Sequence, residues 1–361
     1  MKPRNIAIVC GVAGTAVGLA AAAGIVYRKQ IKSAASLKRL TDYADGYDLY
    51  AIDVAYDYDL DRIIAAGVRD DQAYIDAVVA QVLPGVPAHV QAPQFACSAF
   101  AAVDAEGRVR TGRNYDFKDD TSALLVRNHL RDGYASIGFA ALNNLGTNAP
   151  LDSVAGRTAA LMGPFAQLDG VNECGVSIAV LTLDSKPCDQ DAQRPVINTS
   201  LAIRLVLDRA ATTQEAVDLL SAYDMHAMAG RDYHFFINDA ASDARVVEWD
   251  PRDPNRAFKA TPVRQVTNFY ACYGDEVLPN QKNDELGHGK ERAVAIADVL
   301  DAHAGAQDEA VAWKALRAAA QEPNPEDITS NTQWSVIFDN TEPAAAITLR
   351  RHWGDVDAFA L

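Results

Sequence analysis

A chain of 361 residues, 49% of them apolar and 22% charged, is long enough for one large globular domain with appendages or for two domains. Its net charge is −15. Because the residues before Asp42 carry seven positive charges and no negative one, the remainder carries −22. A body this acidic repels phosphate backbones, which excludes nucleic acid as an expected partner.

The N-terminal segment is an uncharged run of 22 residues, Ile6–Tyr27, with basic residues on both sides. It is long enough to cross a bilayer, and it also resembles a signal peptide with an Ala-rich cleavage region. The basic residues after the run would hold that side in the cytoplasm, whereas export needs the opposite orientation. The sequence predicts a membrane anchor or signal peptide over residues 1–27 and a protein that is membrane-anchored or secreted, with an extracytoplasmic body. A buried Ala-rich helix is the alternative.

The next part of the chain changes from polar to amphipathic. Residues 28–45 are typical of a polar, helical linker, and residues 46–92 combine a Tyr/Asp-rich stretch with an amphipathic helix near Asp71–Val82. From Phe95 onwards the pattern changes to short apolar runs separated by turns. Two such runs flank Gly107, which suits a hairpin turn.

The C-terminal two thirds alternate between strand and helix patterns. Predicted strands and hairpins cover Cys97–Val103 with Val109–Gly112, Val176–Leu183, Tyr233–Ile237 with Arg245–Trp249, and Trp334–Phe338 with Ala345–Leu349. Helical patterns cover Thr199–Arg209, Thr213–Ser221, Glu291–Ala302 and Asp308–Ala320. Strands grouped in hairpins with helices between them predict an α+β fold, in which helices cover an antiparallel sheet system.

The five cysteines are scattered, and they form neither a CxxC pair nor a zinc-ligand spacing with histidine. We therefore expect no disulfide framework, no metal and no organic cofactor. One of them, Cys97, stands 16 residues before Arg113 and 19 before Asp116, on the predicted strand–turn–strand. Further motifs follow in the order Asp169-Gly-Val-Asn172, Thr267-Asn268-Phe269, Gly289-Lys-Glu-Arg292 and Thr332-Gln-Trp-Ser335.

This order of motifs resembles the choloylglycine hydrolase family of linear amide hydrolases. That family includes penicillin V acylases and bile salt hydrolases, with acid ceramidase as a relative. The resemblance runs from about residue 95 to the C-terminus. It implies the αββα four-layer sandwich of N-terminal-nucleophile hydrolases, here preceded by the membrane or signal segment and a pro-region. Family members are often tetramers, so a homo-oligomer stays open.

Residue types around Cys97 suit this chemistry. If the chain is cut between Ala96 and Cys97, one residue supplies both a thiol nucleophile and an α-amine base, and no histidine is needed. By resemblance, Arg113 lies beside the thiolate and Asp116 orients the new amine. A guanidinium lowers a thiol pKa, and a carboxylate accepts hydrogen bonds from an amine. The alternative for Arg113 and Asp116 is an exposed ion pair at a hairpin end.

The resemblance also implies groups that stabilise a tetrahedral intermediate. Asn268 corresponds to the family's side-chain donor, and Thr182 falls where the family uses a main-chain N–H. Because family members often carry Asn or Tyr at that position, Thr182 leaves the substrate class open. Arg292 corresponds to the family's second arginine, and a solvated arginine on a helical face is the alternative. Asn172 is interpreted as a turn residue.

Taken together, the sequence predicts a leader at residues 28–96, which is a linker and pro-segment or a retained small subunit, and an amidohydrolase domain at residues 97–361. The expected function is hydrolysis of an N-acyl amide, a small-molecule substrate, through an acyl-Cys97 intermediate. Acyl-amino acids, conjugated bile acids, phenoxyacetyl-type penicillins and acyl homoserine lactones are candidate substrates. Acyl transfer to an amine and a catalytically silent, membrane-attached binding protein are the alternatives. A papain-like Cys/His enzyme is disfavoured because His234 has no obvious partner.

Overall fold

The structure is a computed structural model that describes residues 27–84, 96–146, 151, 153–281, 285–324, 326–327 and 330–361. The predicted anchor or signal segment lies outside these ranges, apart from Tyr27. Within the described ranges, no helix is both long enough and apolar enough to cross a membrane.

The described residues form strands and helices in alternation. The strands are β1 (Lys38–Arg39), β2 (Leu49–Val54), β3 (Ala96–Val103), β4 (Val109–Asp116), β5 (Ala123–Asn128), β6 (Ser136–Ala141), β7 (Gln167–Asn172), β8 (Ser177–Leu183), β9 (Val196–Asn198), β10 (Asp224–His226), β11 (Asp232–Asn238), β12 (Arg245–Trp249), β13 (Phe258–Pro262), β14 (Gln265–Val266), β15 (Thr332–Asp339), β16 (Ala344–Leu349) and β17 (Asp357–Ala360). The helices are α1 (Arg28–Ser36), α2 (Leu60–Ala65), α3 (Asp71–Val82), α4 (Val154–Ala160), α5 (Thr199–Arg209), α6 (Thr213–Ser221), α7 (Lys290–Asp301) and α8 (Glu309–Ala319). Short 3₁₀ turns lie at Leu142–Leu145, Gly163–Phe165 and Ala271–Tyr273.

The strands form two large sheets and one small pair. The larger sheet has the order β1-β2-β5-β6-β7-β8-β11-β12-β13, and the smaller sheet has the order β14-β3-β4-β15-β16-β17. Neighbouring strands in both sheets are antiparallel, except that β2 runs parallel to β5. Strands β9 and β10 form a separate parallel pair.

The two sheets face each other, and helices cover both outer faces. Helix α5 lies on β7 and β8 with α6 beside it, while α7 and α8 pack on β3, β4 and β15 of the smaller sheet. Phe100, Ile296 and Leu316 belong to the buried apolar cluster between the smaller sheet and its helices. The layers therefore follow the order helix, sheet, sheet, helix, and the prediction of an α+β fold is confirmed.

Local signals explain why the helices begin where they do. The side chain of Asn198 accepts from the Leu201 N–H (2.9 Å) at the start of α5, and Thr212 accepts from the Glu215 N–H (3.1 Å) at the start of α6. Glu215 in turn accepts from the Ala211 N–H (2.8 Å), which satisfies a second free donor. These caps, together with apolar residues at helical spacing, give α5 and α6 the bounds that the sequence predicts.

The hairpin that carries the central motif is longer than predicted. Strand β4 continues past Gly112 to Asp116, and Cys97 pairs with Tyr115 while Ala99 pairs with Arg113. Gly112 permits this pairing because a Cβ atom there would lie 2.2 Å from the ring of Phe100. At the turn, Gly107 adopts a positive φ of 82°, which favours glycine.

The leader is part of the larger sheet. Strand β2 pairs with β5 from Leu49 to Val54, and the Tyr74 hydroxyl of α3 donates to the Phe165 carbonyl (2.9 Å). The helical linker expected over residues 28–45 is helical only at Arg28–Ser36. The chain turns at Leu37, which is buried, and continues as β1 alongside β2.

Candidate active site

Cys97 lies near the start of β3 and is fully buried between the sheets. Its main-chain N–H donates to the Oδ1 atom of Asn268 (3.0 Å). Burial raises the pKa of the Cys97 thiol to about 12, although the nearby Arg113 and Arg292 guanidinium groups lower it. In the uncut chain the thiol is therefore held protonated.

Arg113 is also fully buried, on the neighbouring strand β4. Its Nε atom lies 2.9 Å from Asp169 Oδ2, and its Nη2 donates to the Val180 carbonyl (3.2 Å). The guanidinium carbon is 5.1 Å from the centre of the Tyr115 ring and lies over Trp334 on β15 as well. The alternative of an exposed pair between Arg113 and Asp116 is therefore wrong, because each side chain is buried and has another partner.

Asp169 is a site residue to which the sequence analysis gives no role. It lies on β7, and besides Arg113 it accepts from the Trp334 Nε1–H (3.1 Å) and from the Phe139 N–H (3.2 Å). Burial raises the pKa of its carboxyl to about 6, and Arg113 opposes this shift. Its position at the head of the motif Asp169–Asn172 is the signal that could have identified it.

Asp116 stands at the end of β4, opposite Ala96, and is fully buried. Its Oδ1 atom accepts from the Thr332 hydroxyl (2.6 Å), and its Oδ2 atom accepts from Gln321 Nε2 (2.9 Å) and Arg292 Nη1 (3.4 Å). Burial raises the pKa of Asp116, and these three donors lower it. Gln321 belongs to none of the sequence motifs.

Arg292 connects the groups around Cys97. Its Nη1 donates to the Cys97 carbonyl (2.9 Å), and its Nη2 donates to Asn268 Oδ1 (2.7 Å). Only 6% of Arg292 is exposed, so the alternative of a solvated arginine is wrong. Gly289, with a φ of 84°, makes room for this guanidinium, because a Cβ atom there would lie 2.4 Å from Arg292 Nη2.

Thr182 lies on β8, paired with Tyr233 of β11, and joins the site through its carbonyl oxygen. That oxygen accepts from Asn268 Nδ2 (2.9 Å). In the uncut chain, Asn268 thus bonds to the carbonyl of Thr182. The role of the Thr182 N–H as an oxyanion donor stays a prediction. Hydrogen bonds connect five of the predicted site residues, Cys97, Asp116, Thr182, Asn268 and Arg292. The sixth, Arg113, bonds to Asp169 and Val180 instead, and it lies close enough to lower the pKa of the Cys97 thiol.

Two further side chains clarify the sequence interpretation. Asn172 accepts from the Cys174 N–H (3.1 Å) and the Val176 N–H (3.0 Å), as a turn residue does. The Nδ1 atom of His234 lies 3.3 Å from Glu248 Oε2, and both side chains are fully buried, so the partner of this histidine is a carboxylate. Within the described ranges, no group of three or more His, Cys, Asp or Glu residues is arranged to hold a metal ion.

Comparisons with known proteins identify a family and a fold. Residues 103–352 match the model of the family described as acyl-coenzyme A:6-aminopenicillanic acid acyl-transferase. A mutant of the conjugated bile acid hydrolase from Clostridium perfringens has 14% identity and a TM-score of 0.55, over 73% of this chain and 92% of that one. Penicillin V acylase from Agrobacterium tumefaciens has 20% identity and a TM-score of 0.53, over 73% and 86%. These structural likenesses show the fold. No curated protein sequence matches the chain.

Proposed function

The chain belongs to the acyl-coenzyme A:6-aminopenicillanic acid acyl-transferase family, within the N-terminal-nucleophile superfamily, and we propose that it cuts itself before Cys97 and then hydrolyses a linear, non-peptide amide. The observation that carries this proposal is the hydrogen bond from the Cys97 N–H to Asn268 Oδ1 (3.0 Å), inside a buried network that contains Asp116 and Arg292. The nitrogen that the cut would convert into an α-amine is already held at the centre of the site.

Self-cleavage begins with the Cys97 thiol. Its sulfur attacks the carbonyl carbon of Ala96, the bond from that carbon to the Cys97 nitrogen breaks, and the thiol proton passes to the nitrogen. A thioester then links Ala96 to Cys97 Sγ. Water hydrolyses it to the Ala96 carboxylate and a free thiol, and Cys97 is left with a free α-amine. Arg292, which donates to the Cys97 carbonyl, holds this residue in place during the reaction.

Turnover reuses the same atoms. The α-amine of Cys97 takes the thiol proton, and the sulfur attacks the carbonyl carbon of the substrate amide. Two donors stabilise the oxyanion that forms, Asn268 Nδ2 and the Thr182 N–H. One N–H of Asn268 Nδ2 donates a hydrogen bond to the Thr182 carbonyl, and its other N–H donates to the oxyanion. The α-ammonium then protonates the leaving amine, and water releases the acid from Cys97.

We propose that the leader, residues 28–96, stays bound after the cut as a small subunit of the catalytic domain at 97–361. Strand β2 lies inside the larger sheet between β1 and β5, so its removal would leave the hydrogen-bonding groups of β5 unpaired. Two leader tyrosines support this, because Tyr58 donates to Asp208 (3.0 Å) and Tyr74 donates to the Phe165 carbonyl (2.9 Å).

An extracytoplasmic location, with residues 1–27 as anchor or signal, is part of the same proposal. It rests on the uncharged run Ile6–Tyr27 and on no contact in the fold. Cell fractionation of the full chain, followed by protease treatment of intact cells, tests it. Protection of the body from protease in intact cells would place it in the cytoplasm and contradict the proposal.

Acyl transfer is the second candidate function, and the description of the matching family favours it, since it names an acyl-transferase. The acyl-Cys97 intermediate is common to both reactions, and they differ in whether water or an amine receives the acyl group. The site residues give no reason to exclude either acceptor.

The reaction is tested with processed protein and the Cys97→Ala variant, incubated with penicillin V, a conjugated bile acid and an N-acyl amino acid. Mass spectrometry follows the released amine. Release by the processed protein and none by the variant is the expected result. A new amide after addition of 6-aminopenicillanic acid would establish transfer. If the variant releases amine as fast as the processed protein, Cys97 is not the nucleophile.

A further inference from the structure

The Asp116 carboxylate is fixed by donors that the proposed reaction does not explain. Arg292 is the cationic partner of Asp116, but it lies 3.4 Å from Oδ2, whereas the uncharged Thr332 and Gln321 donate at 2.6 and 2.9 Å. Thr332 opens strand β15, and Gln321 lies just after helix α8. Two separate elements of the smaller sheet layer therefore meet at this one carboxylate.

The direction of the Thr332 hydroxyl is fixed by Gln321. The main-chain N–H of Gln321 donates to Thr332 Oγ1 (2.8 Å), so this oxygen serves as an acceptor there and its single proton points to Asp116. The Thr332 N–H returns a hydrogen bond to the Gln321 carbonyl (2.9 Å). The two residues thus form one unit, with both side chains donating to Asp116.

Arg351 contacts both residues of this unit. Its Nη1 atom lies within hydrogen-bond distance of the Gln321 carbonyl (3.1 Å), the Thr332 carbonyl (3.0 Å) and Asn331 Oδ1 (3.0 Å). Arg351 has a positive φ of 64°, which non-glycine residues other than asparagine and aspartate seldom adopt. A strained conformation of this kind persists where the surrounding contacts over-determine it, and such conformations cluster at functional sites.

We propose that Gln321, Thr332 and Arg351, here called the Asp116 clamp, are positioning residues that hold the Asp116 carboxylate ionised and oriented to receive the new amine of Cys97. This inference rests on the proposed self-cleavage. During cleavage the nitrogen of Cys97 gains the thiol proton and becomes an amine, and an ionised, correctly oriented carboxylate can accept a hydrogen bond from that amine. The clamp acts through Asp116, the group to which both of its donating side chains bond.

The charges around Asp116 determine the expected pH effect. Cys97 lies on β3, Arg113 on Asp116's own strand and Arg292 on α7, while β15 and the segment after α8 contribute the uncharged Thr332 and Gln321. Burial raises the pKa of Asp116, and Arg292, Thr332, Gln321 and Arg113 lower it. Loss of one clamp donor therefore raises that pKa further, and cleavage then needs a higher pH.

The test compares Thr332→Val, which has no hydroxyl, with Thr332→Ser, which keeps it. Each full chain is made by cell-free translation and diluted into buffers from pH 5 to 9, and intact mass follows the chain that begins at Cys97. We expect the acidic limb of the cleavage rate to move up by about one to two pH units in Thr332→Val, as loss of a hydrogen bond to a charged group implies. Thr332→Ser should match wild type.

If Thr332→Val does not fold, Gln321→Met is measured in its place, because Gln321 is half-buried and its side chain also donates to Asp116.

The outcomes separate the two proposals. If wild type stays uncut at every pH, the proposed self-cleavage fails and the clamp fails with it. If wild type is cut, and a folded Thr332→Val or Gln321→Met shows the same pH profile as Thr332→Ser, the clamp alone is wrong. A uniform loss of rate without a shift of the profile also contradicts it, because that is the signature of a merely structural role.

Discussion

The main-chain nitrogen of Cys97 lies 3.0 Å from the Oδ1 atom of Asn268. The Asn268 amide cannot be reversed without loss, because Oδ1 also accepts from Arg292 Nη2 (2.7 Å) while Nδ2 donates to the Thr182 carbonyl (2.9 Å). The contact is thus made before any cut, and the amine that cleavage produces would inherit it. In the proposed mechanism, the base is therefore positioned before the chain is cut.

Asn268→Asp separates the two functions of this amide. An aspartate keeps the acceptor for the Cys97 nitrogen and for Arg292, but it has no proton for an oxyanion. Because loss of one oxyanion donor costs about 10²- to 10³-fold in kcat, we expect a loss of that size with a small change in KM. Steady-state kinetics on a responsive amide substrate measures it. Asn268→Ala, which also removes the acceptor, is the matched variant and should be impaired in cleavage as well. A kcat for Asn268→Asp within about threefold of wild type would contradict the donor role.

Arg292→Lys tests whether the fork of the guanidinium matters. The arginine donates from two nitrogens to the Cys97 carbonyl and to Asn268, and a lysine cannot reach both acceptors in that geometry. We expect self-cleavage about 10- to 100-fold slower than in wild type, the cost of one charged hydrogen bond. The rate is followed by intact mass. Arg209→Lys, which alters a surface ion pair with Asp61, is the control and should be neutral. Equal cleavage rates for Arg292→Lys and wild type would contradict a role of the Arg292 guanidinium in self-cleavage.

Asp169→Asn has a defined effect on stability as a function of pH. Burial raises the pKa of Asp169 from 3.8 to about 6, so the folded chain binds this proton more tightly than the unfolded chain. The contribution of Asp169 to the free energy of unfolding therefore falls as the pH rises from about 4 to about 6, by roughly 3 kcal/mol. Asparagine does not titrate, so the stability of the variant relative to its parent should rise over that window and then level off.

Urea unfolding of Asp169→Asn and its parent, both in the uncut Cys97→Ala background, measures this difference at pH 4, 5, 6 and 7. All other titrating groups are shared by the two proteins and cancel. A stability difference that does not change with pH would show that Asp169 has an ordinary pKa.

The leader should remain bound after cleavage. Size-exclusion chromatography under native conditions should give one peak that contains both chains, and the chains should separate in denaturant. Tyr58→Phe removes a hydrogen bond to the buried Asp208 carboxylate, so the leader should be released at a lower urea concentration. Lys29→Met, which removes an exposed ion pair within the leader, is the control. Elution of the catalytic chain alone under native conditions would make the leader a departing pro-segment.

Local signals in the sequence predicted much of the fold. The bounds of α5 and α6 follow from their caps and apolar spacing, and the β11–β12 and β15–β16 hairpins join neighbouring segments. The insertion of β2 beside β5 could not be predicted this way. The pairing of Leu49 with Ala123 is long-range and parallel, and no turn residue between the two strands specifies it.

The candidate site, like the fold, could be predicted only in part from the sequence. The spacing of Cys97, Arg113 and Asp116 places three groups on one hairpin, but it does not state which carboxylate each arginine meets. The fold pairs Arg113 with Asp169 and Arg292 with Asp116. These pairs could not be predicted, because their side chains come from strands and a helix that are far apart in the chain. Gln321 carries no motif, so only the packing of α8 against the sheet brings it to Asp116.

The central claim is that the uncut chain cleaves itself between Ala96 and Cys97. Wild type and Cys97→Ala are expressed side by side, and each is analysed by intact mass and N-terminal sequencing. The account predicts a wild-type chain that begins at Cys97 and a variant that remains joined at Ala96. A folded wild type that stays intact would contradict it, because Cys97 would then lack the free amine on which the proposed chemistry depends.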